Sequence, residues 1–96
     1  MSQYGTLSAD GNTDQFKVSG NEGVWIHLDG DFGGGTIITQ FLSLDGVTWH
    51  PIVDSDKTDD DDFKIEIPHG VIIRCNLAGA TNPTVNWEFR STTVRN

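Results

Sequence analysis

The densest chemistry in the chain is Asp54-Ser55-Asp56-Lys57-Thr58-Asp59-Asp60-Asp61-Asp62, six carboxylates in nine residues. Carboxylate oxygens suit Ca²⁺, and an EF-hand loop needs glycine at its sixth position and glutamate at its twelfth. Started at Asp54, those positions hold Asp59 and Ile65; started at Asp56, they hold Asp61 and Ile67. The EF-hand is excluded in both registers. What remains is a looser oxygen site, with Asp54, Asp56, Asp60 and Asp62 as its candidate ligands. The simpler expectation is a run of like charge that repels itself, stays solvated and mobile, and keeps neighbouring copies from pairing edge to edge. No cofactor is assigned.

The remaining reactive side chains are scattered. His27, His50 and His69 sit in three separate segments, none with a partner at zinc-ligand spacing. The one cysteine, Cys75, lies in an apolar alternating run, so it is expected to be a small buried hydrophobe rather than a reactive thiol, and no internal disulfide can form. There is no Gly-x-Ser-x-Gly elbow, and Gly33-Gly34-Gly35 lacks the Lys-Ser/Thr of a phosphate-binding loop. No catalytic residue is assigned, and the chain is expected not to be an enzyme.

Charge narrows the partners. Fourteen acidic and six basic side chains give a net charge of −8 over 96 residues. Phosphate backbones are bound by clustered Lys and Arg, whereas Lys17, Lys57, Lys64, Arg74, Arg90 and Arg95 are spread along the chain. Nucleic acid and anionic membranes are therefore not expected as partners. Met1 to Gly5 shows neither the basic nor the apolar region of a signal peptide, and no apolar run reaches membrane-spanning length. Lone-cysteine usage fits folding in a reducing cytoplasm.

The elements that position these residues follow a period of two, the mark of strands with one buried face. Gln15 to Val18 reads as a short strand. In Val24 to Leu28, Val24, Ile26 and Leu28 share one face, and Trp25 and His27 the other. Thr36 to Leu44 carries apolar residues on both faces and is expected to be central. Val47 to Val53 follows. Phe63, Ile65 and Ile67 alternate with Lys64 and Glu66. Val71, Ile73, Cys75 and Leu77 share a face, as do Val85, Trp87 and Phe89, which places Trp87 in the core. Turn residues such as Asp45-Gly46 and Pro68-His69-Gly70 separate the runs. About seven short strands at this spacing predict an all-β fold: an antiparallel β-sandwich, jelly-roll or immunoglobulin-like. The domain is expected over 15–96, with the polar, unpatterned residues 1–14 as a flexible N-terminal arm.

Ser43-Leu44-Asp45-Gly46-Val47-Thr48-Trp49 reads as a tight hairpin whose tryptophan packs back on it or into the core; an exposed tryptophan would instead suit a sugar face. The order of Val24-Trp25-Ile26, Gly30-Asp31-Phe32-Gly33-Gly34-Gly35-Thr36-Ile37, the hairpin, and Val71 to Val85 resembles small β-sandwich proteins of bacteriophage particles: head decoration (cement) proteins, or tail and fibre accessory modules. The resemblance spans roughly residues 23–90. It implies a structural role in the virion and supplies no catalytic residue.

The leading expectation is accordingly a decoration protein, a homotrimer on the outer surface of the phage head, made in the host cytoplasm and bound to the major capsid protein, where many copies make weak contacts sufficient. The alternatives are a carbohydrate- or receptor-binding module of a fibre, which would take a surface glycan through Trp25 and Trp49, and a head–tail joining or tail protein. The expected partner-binding residues are Tyr4 and Leu7 of the arm, Phe32 of the glycine loop, Trp25 and Trp49; for Phe32 the simpler expectation is that it plugs one end of the sandwich.

Overall fold

The computed structural model describes residues 2–20 and 23–92. These form strands and no helix: β1 (Ser2–Leu7), β2 (Gly11–Asn12), β3 (Phe16–Lys17), β4 (Val24–Asp31), β5 (Thr36–Leu42), β6 (Trp49–Pro51), β7 (Asp61–Ile65), β8 (Ile72–Ala78) and β9 (Thr84–Ser91). One sheet has the order β1-β9-β4-β7. The other has the order β2-β8-β5-β6, with β3 also paired to β8. All pairings are antiparallel. The expected β-sandwich is what the chain forms.

The pairing is nested. β2 and β3 lie against successive parts of the same strand, at Gly11–Leu77 and Phe16–Ile73, so they act as one interrupted strand. Thr13 fills the interruption: its amide donates to the Cys75 carbonyl at 2.9 Å and its hydroxyl accepts from the Cys75 amide at 2.9 Å. Counted this way, first pairs with last throughout: β1 with β9, β2/β3 with β8, β4 with β7, β5 with β6. Folding that long hairpin over brings β4 beside β9 and β5 beside β8. This is jelly-roll order, and it separates the two sandwich topologies that the alternation leaves open.

The core lies between the sheets. Val24, Ile26 and Leu28 of β4 and Val85, Trp87 and Phe89 of β9 face Phe16, Ile37, Ile73, Cys75 and Leu77 from the other sheet. Full burial of an aliphatic or aromatic side chain of this size stabilises by about 1.5–3 kcal/mol. The buried polar group at Thr39 is satisfied, as burial requires: its amide donates to Ser55 Oγ at 3.1 Å, and that hydroxyl donates to the Ile52 carbonyl at 2.7 Å. The two sheets are joined after β4 by a turn whose Phe32 carbonyl accepts from the Gly35 amide at 2.9 Å. Gly33 and Gly34 both have positive φ, 60° and 78°, a conformation that side chains disfavour.

The N-terminal segment departs from expectation. Residues 2–7 are not an arm but an edge strand, in register with β9 from Ser2–Arg90 to Leu7–Val85. Its polar sequence hides it, because only one face touches the core and at Gly5 the core side is filled from the opposite strand. A Cβ placed on Gly5 would lie 2.6 Å from Cζ2 of Trp87. Leu7 and Phe32, both candidates for a partner surface, are buried in the core; for Phe32 this is the simpler of its two expectations. Leu7 ends β1 on its inward face, and Phe32 plugs the end of the sandwich at the β4–β5 turn.

Candidate functional site

The outer face of the β1-β9-β4-β7 sheet is a polar lattice. Register places Trp25, His27 and Asp29 of β4 opposite Arg90, Glu88 and Asn86 of β9, with Lys64 and Asp62 of β7 on the other side. A continuous chain of contacts crosses the four strands. Thr6 donates to Asn86 Oδ1 at 2.9 Å, and Asn86 donates to Asp29 Oδ1 at 2.8 Å. Asp29 Oδ2 lies 2.6 Å from His27 Nε2, and His27 Nδ1 meets Asp62 Oδ1. Hydrogen bonds to Asp62 and then Asp29 hold the His27 pKa above its ordinary value. Asn86 first and His27 second lower that of Asp29. Trp25 stacks on His27 with centroids 5.8 Å apart, and the Arg90 guanidinium lies 5.4 Å from the indole centroid. Tyr4 stands at the rim, 79% exposed. Both His27 nitrogens are occupied by carboxylates, so neither is free to take a proton from a substrate.

The acidic run does not gather into one site. Asp60 accepts from the Gly30 amide at 2.9 Å and Asp62 contacts His27, while Asp54 and Asp56 are exposed in a turn. Among the described residues no group of three or more His, Cys, Asp or Glu side chains is arranged to hold a metal ion. The four calcium candidates therefore do not converge. Nor is the segment a free solvated spacer. Ser55 is buried, and Lys57 exchanges backbone hydrogen bonds with Ile37 at 2.7 and 2.8 Å. The Lys57 ammonium lies 2.8 Å from Asp61 and 4.7 Å from the Phe63 ring centroid. Like charge along the sequence is offset by tethers that only the folded chain supplies.

The opposite sheet presents different chemistry. Its strands contain no Asp or Glu. Trp49 pairs with Leu42 in register, and the Arg74 guanidinium lies over the indole at 4.1 Å from the centroid. Arg74 Nε donates to Gln40 Oε1 at 2.8 Å. Trp49 thus packs back on its hairpin, half-buried, instead of entering the core. Beyond it the β5–β6 turn is fixed by Asp45, which accepts from the Val47 and Thr48 amides at 2.8 and 2.9 Å and from the Thr48 hydroxyl at 2.7 Å. These bonds, those from Thr48 foremost, bring the Asp45 pKa down to about 2. The rigid turn holds apolar side chains in solvent: Leu44 is fully exposed and Val47 78%, while Val53, 84% exposed, lies in the separate turn after β6. Behind the β5–β6 turn is an open, mainly apolar depression lined by Phe41, Leu42, Leu44, His50, Pro51 and Val71.

Of the five expected partner residues, then, Tyr4, Trp25 and Trp49 are accessible, but on two opposite faces. The alternation places Trp25 and His27 on one face, and carrying it two residues further adds Asp29. Asp62 and Asn86 join them only through strand pairing, which no local pattern reveals. Compared with known proteins, no family model matches the chain, and no curated protein or solved structure matches it.

Proposed function

We propose that this protein is a non-enzymatic structural component of a bacteriophage particle: a decoration protein that docks on the major capsid protein at the outer surface of the head, as a homotrimer. The observation that carries this reading is the β5–β6 hairpin. Leu44 and Val47 are held in water by a turn that Asp45 makes rigid. A cluster of exposed apolar side chains on a stiffened tip is stabilised by contact with another surface, and prior rigidity lowers the entropy lost on docking. The jelly-roll order, recurrent in capsid and lectin domains, is compatible with the reading but is analogy only.

The test is co-sedimentation of the purified chain with heads that lack it. Saturable binding that falls at least tenfold in Leu44→Ser/Val47→Ser, with the fold retained, supports the proposal. Absence of binding by the wild-type chain overturns it.

A second reading, a glycan-binding module, is favoured by the opposite face. There the accessible Trp25 and Tyr4 flank Asp29, Asn86 and Glu88, and aromatic and hydrogen-bonding groups together suit a sugar. A tryptophan fluorescence change with host surface polysaccharide, lost in Trp25→Ala and kept in Trp49→Ala, would support this reading over the first.

A further inference from the structure

Resting on the decoration reading, we infer that the outer face of the β2-β8-β5-β6 sheet is the surface that meets the shell, and that Arg74 anchors it by pairing with a carboxylate set among apolar side chains of that partner.

Charge distribution carries the inference first. The chain has fourteen Asp and Glu residues, and strands β4, β7 and β9 of one sheet contain Asp29, Asp31, Asp61, Asp62 and Glu88. Strands β2, β3, β5, β6 and β8 contain none. In a protein of net charge −8, the named strands of one whole sheet carry no carboxylate; the exposed Asp14 sits in the interruption between β2 and β3, at the sheet's edge. The sheet's outer positions include Ile38, Gln40 and Leu42 of β5, Trp49 of β6, and Ile72, Arg74 and Asn76 of β8.

Arg74 supplies the second observation. Among the described residues no carboxylate pairs with it; its contacts are the Trp49 ring and the Gln40 side-chain carbonyl. The guanidinium is thus held in place in a half-buried setting with its charge uncompensated. Tryptophan and arginine dominate interface hot spots, and a planar guanidinium recognises a carboxylate through paired N–H donors. Its restraint in advance lowers the side-chain entropy lost on binding.

The same charge argues against a second copy as the occupant. Two copies related by a two-fold axis would present Arg74 and Lys17 to the same groups, across strands that carry no carboxylate to receive them. β5 and β8 with seven residues each, the interrupted β2/β3 spanning seven, and the three-residue β6, about 4.8 Å apart, offer roughly 400 Å², and the hairpin tip continues that surface. With about 800 Å² per partner usual for a stable contact, a modest interface repeated in many copies fits the geometry.

The experiment is co-sedimentation with heads lacking the protein, together with solution mass, for wild type, Arg74→Gln, Arg74→Lys and Ile38→Asp. The expected result is binding about tenfold weaker for Arg74→Gln and for Ile38→Asp, an intermediate loss for Arg74→Lys, unchanged solution mass, and circular dichroism like wild type. Wild-type binding with Arg74→Gln equal to it would overturn the anchor while leaving the decoration reading intact. A solution mass that falls in Ile38→Asp while head binding persists would assign the face to a second copy and overturn the inference. No binding by any form would remove the decoration reading itself.

Discussion

His27 Nε2 lies 2.6 Å from Oδ2 of Asp29 on the same strand, while the other ring nitrogen meets Asp62 across the β4–β7 pair. A neutral imidazole has one N–H and can donate to only one carboxylate; the imidazolium has two. The clip from central strand to edge strand is therefore complete only when His27 is charged. Its folded pKa is raised from 6.5, so its contribution is fully present below about pH 6.5 and is lost as pH rises through the raised value. Asp29 is lowered from 3.8, so its contribution is present above that value and lost as pH falls through the folded one. The window between bounds the clip. The urea midpoint of wild type minus that of His27→Gln should be largest near pH 5–6 and shrink as pH rises through the raised His27 value. A difference independent of pH would show that the clip is not ionic.

Truncation separates an edge strand from an arm. Removing residues 1–7 strips the outer partner from β9 and deletes Leu7 from the core. The burial of Leu7 alone is worth about 1.5–3 kcal/mol, so the loss should be at least about 2 kcal/mol. Thermal unfolding should show a lower midpoint, and β9 amides should exchange faster. An unchanged midpoint would return residues 1–7 to the status of a detachable arm.

How far the sequence carries is clearest in β4 and β1. In β4 the alternation names both faces correctly, because Val24, Ile26 and Leu28 each face the core while Trp25 and His27 do not. In β1 the inward positions are Gln3, Gly5 and Leu7, and the space above Gly5 belongs to Trp87, eighty-two positions away in the chain. Period-two reading fails where the partner strand supplies the buried volume. The His27–Asp29–Asp62 cluster is illegible for a related reason: Asp62 reads as one of a run of like charges until pairing sets it across from His27. Phe32 shows the converse case: a loop aromatic beside glycines suits either a docking surface or an end plug, and its burial fits the plug, the simpler expectation.

Gly5 should respond opposite to an ordinary strand glycine. Replacing glycine by valine in a strand usually stabilises, because glycine loses more backbone freedom on folding. Here the new Cβ would sit 2.6 Å from Trp87 Cζ2 and 3.0 Å from Cε2. Overpacking of this kind costs about 1–3 kcal/mol. Gly5→Val should lower stability and shift Trp87 emission as the indole is displaced; a stabilised variant would mean that β1 stands off from β9.

The hairpin tip gives a local prediction. Asp45→Ala removes the acceptor for three donors, and the Val47 and Thr48 amides should lose protection from hydrogen exchange while the core amides keep theirs. The side chain is exposed, so global stability should move little. Because the Asp45 pKa is lowered to about 2, the turn should stay fixed down to about pH 3 and loosen only below it. Loosening at pH 4 would contradict that assignment.

Cys75 tests how closed the sandwich is. Its side chain is fully buried between the sheets, with Sγ 3.4 Å from Thr39 Oγ1, and burial pushes the thiol pKa up to about 12. At pH 8 a thiol with that pKa is ionised on the order of one part in ten thousand, and the thiolate is the reactive form. Reagent must therefore wait for the chain to open. Labelling of the native protein should be slow, should not depend on reagent concentration once that is high, and should approach the rate for free thiol in urea. Thr13→Ala removes the hydroxyl that accepts from the Cys75 amide, leaving a buried donor unpaired at a loss of about 1–3 kcal/mol. That variant should label faster than wild type in native buffer and at the same rate in urea. Fast labelling of the wild-type chain would show that the two sheets part readily at this strand.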